Sequence, residues 1–144
     1  MRSKILLFSL IAAASLLTAC TRQPASPTVG LAGRVLRVEI ADTPILQTQG
    51  LSNHAPLTDE EGMLFIFGQK SRRTFWMKEM LFPLDIIWID GNTIVKIDKK
   101  LPPEGPSPSK LYDSGVPVDF VLEVNGGWSD SAGLKEGDKL KISL

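Results

Sequence analysis

The sequence predicts a mainly β fold with one or two short helices, arranged as a compact single domain that resembles a β-sandwich or barrel. Three observations favour this class. Apolar and polar residues alternate in several short segments, which is the period of a half-buried strand. Turn residues separate these segments at intervals that suit about seven strands. The chain has 144 residues, of which 43% are apolar, and this is enough for one ordinary globular domain.

The first half of the predicted domain contains four strands and one helix. Residues 34–41 alternate strictly, and the Asp-Thr-Pro sequence that follows begins a short helix over residues 44–49. An uninterrupted apolar run at residues 62–67 predicts a strand that is buried on both faces. Two further strands are predicted at residues 75–78 and 84–90.

The second half begins with a hairpin, because an Asp-Gly-Asn turn leads into a strand at residues 93–97. Residues 99–110 contain four prolines, which cannot donate to a strand ladder, so this segment is predicted to be a long loop. A strand at residues 119–124, a short helix at 128–132 and a last strand at 139–143 complete the domain.

The N-terminus predicts export and a lipid anchor. Residues 1–19 carry two basic residues and then a short apolar run, which is typical of a secretory signal peptide and is too short to span a bilayer. The sequence Leu-Thr-Ala-Cys ends at Cys20, the one cysteine of the chain, and resembles the lipobox of bacterial lipoproteins, in which Cys20 would be lipidated. An ordinary signal peptide with an incidental cysteine is the alternative. Residues 20–33 are predicted to be the lipidated Cys20 and a flexible tether, and residues 34–144 the domain.

Composition excludes several kinds of site. The 16 basic residues are balanced by 16 acidic ones, so no nucleic-acid partner is predicted, since such binding relies on an excess of Lys and Arg. One cysteine and one histidine are too few for a disulfide framework, a thiolate metal cluster or a multi-histidine site. The sequence contains no nucleophile elbow, phosphate loop or metal-ligand spacing, and we predict neither a metal nor another cofactor.

Two acidic residues are the candidates for acid–base chemistry. Asp85 begins an apolar strand, where it is either a site acid or a structural carboxylate that accepts backbone N–H bonds or pairs with Lys78 or Arg73. Glu123 lies opposite the predicted core face of its strand, either in a cleft or simply solvated. If the two carboxyls converged, they would suit glycoside hydrolysis, which requires separations of roughly 5–5.5 or 6.5–9.5 Å.

Three other side chains are candidate binding residues. Strand parity directs Phe75 and Met77 to the core and Trp76 and Lys78 to the other side, where an aromatic ring beside a cation suits a sugar or a peptide carboxylate. The alternative is a tryptophan that covers the sheet with Lys78 stacked over it. His54, the one imidazole, is predicted on a surface loop, either as an exposed or locally bonded side chain or as a catalytic base.

Four sequence blocks occur together in a specific order. They are VEIADTP with GLSN, EGMLFIF, FWMK with PLDII, and VLEVNGGW with a later Gly-Asp. Over residues 34–142 this pattern resembles the DUF192 family of bacterial and archaeal proteins. The resemblance implies a compact, mainly β, often exported domain without an established activity. Members usually carry an arginine shortly after the Gly-Leu, where this chain has His54, so a role that needs a permanent positive charge there is not implied.

These observations predict a lipid-anchored protein of the cell envelope that faces the periplasm or the exterior. Its domain is expected to be monomeric and non-enzymatic, and to bind a ligand or partner such as a glycan, a peptide or another envelope protein. It would contact the membrane through the N-terminal lipid. One alternative is a hydrolase of envelope glycans or peptides with Asp85 and Glu123 as acid and base. A structural envelope component is the second alternative.

Overall fold

The computed structural model describes residues 26–144, which contain nine strands and two short helices. The predicted signal peptide and Cys20 lie outside these residues. In chain order the elements are β1 (Thr28–Leu31), β2 (Arg34–Ala41), α1 (Pro44–Gln49), β3 (Glu61–Ser71), β4 (Thr74–Phe75), β5 (Leu84–Asp90), β6 (Thr93–Leu101), β7 (Tyr112–Asp113), β8 (Val118–Asn125), α2 (Trp128–Ser131) and β9 (Leu140–Ser143).

Seven of these strands form one curled sheet in the order β6-β5-β8-β3-β2-β1-β9. Strands β2 and β3 are parallel, with α1 in their connection, and the other neighbours are antiparallel. The two edge strands approach each other at one end, where Thr93 pairs with Lys139 and the Leu140 N–H donates to the Asn92 carbonyl at 3.0 Å. The sheet is therefore a half-barrel, and the predicted mainly β class is confirmed. Of the described helices, neither has the length and apolarity to cross a bilayer.

Both faces of the central strands are buried. Because side chains alternate along a strand, β5 and β8 each contribute to two separate apolar layers. The layer that we call the Asp85 face includes Leu64, Ile87, Ile89, Leu122 and Val124. The layer that we call the Glu123 face includes Met63, Phe65, Ile86, Trp88 and Val121.

Strand β1 corrects the predicted boundary of the tether, because residues 28–31 pair with β2 on one side and β9 on the other. Val29 and Leu31 are 0% and 3% exposed and pack in the Asp85 face. Ala32 and Gly33 both have positive φ, 49° and 73°, as a two-residue hairpin turn requires. The strand has only four residues, and one of them is glycine. Such a segment is too short for its apolar alternation to distinguish a strand from a flexible tether.

The strand predicted at residues 75–78 is wrong in its bounds. Thr74 and Phe75 pair in the two-stranded ribbon that β4 forms with β7, and Lys78 makes only an isolated bridge to Glu104. The ribbon is antiparallel, so residues 76–78 would have to face residues 109–111, which belong to the preceding loop and form no strand. The predicted loop at residues 99–110 is also shorter than expected, because β6 continues to Leu101, immediately before the first proline.

The predicted helix at residues 44–49 is confirmed as α1. Thr43 caps it by accepting a hydrogen bond from the Leu46 N–H at 3.3 Å, and a proline occupies its first position. Gln47 donates through Nε2 to the Ile66 carbonyl of β3 at 2.8 Å. This bond holds α1 beside β3, on the side of the sheet where the chain leaves a cavity.

Candidate ligand-binding pocket

Asp85 is a structural carboxylate on the inner part of the sheet. It is 0% exposed, and its Oδ1 accepts the backbone N–H groups of Lys100 at 2.7 Å and Gly127 at 2.8 Å. Its Oδ2 accepts the N–H of Ser129 at 2.8 Å. The structure therefore supports the interpretation of a carboxylate that is held by backbone donors, and the partners are neither Lys78 nor Arg73.

Glu123 is also buried, but its carboxyl has no comparable partners. The residue is 4% exposed, and its Oε2 makes no hydrogen bond within the described part of the chain. Burial removes the carboxylate from water and raises the pKa of Glu123 to about 8, so most molecules carry a neutral Glu123 at pH 7. Of the two alternatives stated for Glu123, the structure supports a position in a cleft and not a solvated side chain, because residues of α1 and of the loops cover this side of the sheet.

Asp85 and Glu123 do not converge. Glu123 is paired with Ile86 on β5, whereas Asp85 is paired with Val124 on β8. Residues that are paired across antiparallel strands point to the same side, so the two carboxyls point to opposite faces of the sheet. The structure therefore does not bring them together as an acid–base pair.

Glu123 lines a cavity of about 390 Å³. Gly50, at the end of α1, lies across from the carboxyl, and a Cβ there would be 3.3 Å from Phe65 Cζ and 4.0 Å from Glu123 Oε2. The φ of Gly50 is +48°, so this position also requires a backbone conformation that favours glycine. The aromatic residues that line the cavity are Phe65, Phe67, Phe75 and Trp76.

Two arginines line the same cavity, and sequence reasoning did not single them out as a site. The Arg73 guanidinium stacks on Phe67 at 3.9 Å and donates through Nη2 to the Gln69 carbonyl at 2.6 Å, while its buried Nε has no partner among the described residues. Arg72 is exposed and donates to the Gly115 carbonyl. Neither guanidinium belongs to any ion pair found within residues 26–144.

Trp76 and Lys78 lie next to this cavity. The predicted alternation is confirmed at Met77, which is 0% exposed, and at Trp76, which is 43% exposed. Trp76 lines both the Glu123 cavity and an adjoining open groove of about 710 Å³, whereas Lys78 lines only the groove. The predicted aromatic and cationic pair therefore divides between two adjacent spaces.

Comparison with known proteins places the domain in a family. The sequence profile of DUF192, described as "Uncharacterized ACR", matches residues 27–142. The chain belongs to the DUF192 family. Among curated proteins, none matches the sequence.

Two solved structures share this DUF192 fold. A Sinorhizobium meliloti 1021 protein, provisionally named a transcription regulator, is 35% identical with a TM-score of 0.74, and the match covers 82% of this chain and 94% of that one. A protein of unknown function from Novosphingobium aromaticivorans is 36% identical with a TM-score of 0.72, covering 80% of this chain and 82% of that one.

The PLDII and NGGW blocks of this DUF192 domain have a structural explanation. The Gly126 N–H donates to the Pro83 carbonyl at 2.8 Å, and a Cβ on Gly126 would lie 2.9 Å from Pro83 Cβ and 3.1 Å from its carbonyl carbon. Gly127 has a φ of +92° and donates to Asp85. Pro83, Asp85 and the two glycines therefore form one contact, which we call the Asp85 clamp.

His54, the candidate base or binding residue predicted on a surface loop, is not a lining residue of the cavity. Its Nδ1 is 2.6 Å from the Ala55 carbonyl oxygen and its Nε2 is 3.3 Å from Glu39 Oε1. It lines neither the Glu123 cavity nor the groove. The structure thus supports the locally bonded interpretation of this histidine.

No cluster of three His, Cys, Asp or Glu side chains that would suit a metal ion occurs within residues 26–144. The polar groups of the pocket that lack partners are instead the Glu123 carboxyl and Arg73 Nε. A carboxyl and a guanidinium bind organic groups by hydrogen bonds. The arrangement is therefore typical of a small-molecule pocket, with apolar walls and a few directed polar groups.

Proposed function

We propose that this chain is a lipid-anchored envelope protein whose DUF192 domain binds a small organic ligand in the Glu123 cavity without transforming it. The observation that carries the proposal is the carboxyl of Glu123, a residue that lines the cavity and whose buried Oε2 has no partner in the described residues. An unsatisfied buried polar group costs about 1–3 kcal/mol. A ligand that hydrogen-bonds to Glu123 recovers this cost, so binding is favoured.

The shape of the cavity supports a ligand rather than a purely structural role. Its volume of about 390 Å³ lies within the ordinary range for small-molecule sites, and aromatic rings form its walls. A nucleic-acid ligand, which the provisional name of the Sinorhizobium meliloti protein suggests, suits the chain poorly, because 16 acidic residues balance its 16 basic ones.

Lipid attachment at Cys20 is the other part of the proposal, and its support is the lipobox-like sequence. Stable anchoring requires two or three acyl chains, since one chain binds a membrane only weakly. Mass spectrometry of the N-terminal peptide from the membrane fraction tests this directly. We expect an acylated Cys20 at the new N-terminus and loss of the acyl mass in Cys20→Ser. An unmodified Cys20 in the native protein would refute the anchor and leave the pocket proposal standing.

Binding in the pocket is tested by NMR of the full chain in detergent with ¹³C-methyl-labelled methionine. Met80 lines the cavity, whereas the buried Met77 does not, so the two methyl groups separate pocket binding from general effects. A fragment panel should contain binders that shift Met80 and that carry a hydrogen-bonding group. Their affinity should fall at least about tenfold in Glu123→Leu, because one lost hydrogen bond is worth on the order of 1.4 kcal/mol.

The matched control is Glu136→Leu, which changes an exposed glutamate outside the cavity. This variant should bind the same fragments as the native chain. If no fragment shifts Met80, or if Glu123→Leu binds as well as the control, the pocket proposal is wrong. Glu123→Leu replaces an unsatisfied polar group by an apolar one, so the variant is expected to fold.

An enzyme that uses Glu123 alone as a general acid or base is a second candidate function. The observation in its favour is the pKa of Glu123, which burial raises to about 8, close to the neutral range in which such groups work best. The two candidates are distinguished by incubating each identified binder with the protein. Chemical conversion that is lost in Glu123→Gln would establish an enzyme, whereas unchanged recovery of the binder supports the binding function.

A further inference from the structure

The charges of the Glu123 cavity are unbalanced. Its charged lining residues are Arg72, Arg73 and Glu123, and neither arginine is paired with a carboxylate of the described chain. Each guanidinium has five N–H donors, of which the structure uses few. With Glu123 protonated, the cavity has two positive charges and no negative charge to offset them. Such a site repels amines and attracts anions.

The guanidiniums and the Glu123 carboxyl occupy separate parts of the cavity. No ion pair joins Glu123 to Arg72 or Arg73 within residues 26–144. A Cβ on Gly50 would lie within 4.0 Å of both the Phe65 ring and Glu123 Oε2, so these two groups are close to each other. Arg73, in contrast, stacks on Phe67. Two residues along β3 correspond to roughly 7 Å. A ligand that extends across both rings can contact the two polar ends at once.

An anionic group is unsuited to the Glu123 end. An anion placed against a buried carboxyl would oppose its ionisation and find no compensating charge. A hydroxyl or an amide suits a neutral carboxyl, because the carboxyl offers one O–H donor and further acceptor capacity. The aromatic residues between the two ends provide flat apolar contact for the body of a ligand.

We propose that the cavity binds a small organic acid, with its carboxylate or phosphate held by Arg72 and Arg73 and an uncharged hydroxyl or amide at its other end bound to Glu123. This proposal rests on the pocket proposal above and specifies the class of ligand. Phe65, Phe67 and Trp76 contact the body of the ligand. The protein thereby distinguishes acids from amines of the same shape.

Matched probes test the class directly. The full chain, with labelled methionine methyl groups, is titrated with 4-hydroxyphenylacetate, 4-hydroxyphenylacetamide, tyramine and phenylacetate, and with 4-hydroxybenzyl phosphonate as the phosphate-like arm. The first of these should bind at least about tenfold more tightly than its amide and its amine, and several-fold more tightly than phenylacetate, which lacks the hydroxyl. The comparison between the carboxylate and the phosphonate shows which anion the arginines prefer.

Variants of the arginines provide the second arm. Arg72→Gln and Arg73→Gln should each weaken the acid at least about fivefold and leave the amide unchanged, while Lys135→Gln, an exposed cation outside the cavity, should have no effect. Because Arg73 also packs on Phe67, Arg73→Lys is included, which keeps the charge and removes the planar fork. It should bind the acid with intermediate affinity.

The outcomes separate the two proposals. If amides or amines shift Met80 as strongly as acids, or if Arg72→Gln and Arg73→Gln bind the acid normally, the anion proposal is overturned and the pocket proposal survives. If none of these probes and none of the wider fragment panel shifts Met80, both proposals fail. An acid preference that is lost in the arginine variants supports the anion proposal.

Discussion

Asp85 and Glu123 lie on adjacent strands of one sheet, and both are almost completely buried, but their carboxyl groups have opposite surroundings. Asp85 accepts three backbone N–H bonds, from Lys100, Gly127 and Ser129. Glu123 faces a cavity, and its Oε2 has no partner in residues 26–144. Burial alone therefore does not identify a functional carboxyl.

The difference lies in how each group recovers the cost of its burial. Backbone donors replace water around Asp85, so its carboxylate helps to hold three chain segments together. Glu123 recovers nothing from the described residues and adopts the neutral form instead, as its raised pKa of about 8 indicates. A carboxyl that the fold leaves unsatisfied beside an open cavity is available to a ligand, and this is the basis of our functional proposal.

The largest effect is expected from Asp85→Ala. The substitution leaves one buried and two partly buried N–H donors without an acceptor and should destabilise the domain by about 4 kcal/mol. Urea unfolding monitored by circular dichroism measures this loss. Asp85→Asn, which keeps one acceptor oxygen, should lose less. A change below about 1 kcal/mol in Asp85→Ala would show that the clamp is not a main source of stability.

A smaller and pH-dependent effect is expected from Glu123→Gln. The folded pKa of Glu123, about 8, is above its ordinary value of 4.5, so the folded chain retains a proton that the unfolded chain releases between these values. The contribution of Glu123 to stability is complete below pH 4.5 and is lost as pH rises through 8.

Glu123→Gln removes this titration. As pH rises from 4.5 to 8, the native chain should therefore lose a few kcal/mol of unfolding free energy that Glu123→Gln does not lose, so the variant becomes more stable relative to the native chain. Unfolding curves at several pH values between 5 and 9 measure it. A difference that does not change with pH would contradict the neutral form of the buried Glu123.

Gly126→Ala tests the other side of the comparison. The added Cβ would lie 2.9 Å from Pro83 Cβ and 3.1 Å from its backbone carbon, and the backbone cannot yield easily. We expect a loss of about 2 kcal/mol. Gly68→Ala, where the added Cβ meets nothing within 4 Å, is the control and should change stability far less. Equal losses in the two variants would show that the contact with Pro83 is not tight.

The smallest effect on stability is expected from Trp76→Ala, because 43% of this residue is already exposed. The loss should be below about 1 kcal/mol. Ligands of the Glu123 cavity should nevertheless bind more weakly, since Trp76 forms part of its wall. Thermal unfolding and NMR titration of the same variant separate the two effects. Unchanged affinity would exclude Trp76 from the binding surface.

Local sequence pattern was sufficient for most of the sheet and for one half of this comparison. Alternation located β2 and β8, and the parity of β5, a strand that is apolar on both faces, correctly assigned Asp85 and Ile87 to one side and Ile86 to the other. The structural role of Asp85 was also among the stated alternatives, because a charge in an apolar strand requires partners.

The pocket was beyond local pattern. Its walls come from α1, from β3 with the adjoining residues 72–76, and from β8, three segments that are separated in sequence, so no periodicity connects them. The register between β5 and β8 decides whether Asp85 and Glu123 share a face, and a shift of one residue would reverse the answer. The adjacent Arg72 and Arg73, just before the FWMK block, were the available sequence signal for the cationic side of the pocket. Their side chains are positioned by Phe67 and by the Gly115 carbonyl, and only the fold brings these groups together.

The central claim is that Glu123 is a neutral, unsatisfied carboxyl at neutral pH and is therefore available to a ligand. A ¹³C NMR titration of the glutamate side-chain carboxyls in the full chain, with Glu123→Gln to assign the resonance, tests it most directly. The account predicts that the Glu123 resonance titrates with a pKa of about 8. A midpoint near the ordinary value of 4.5 would contradict the account, because it would show that the carboxyl is charged and already stabilised in the absence of a ligand.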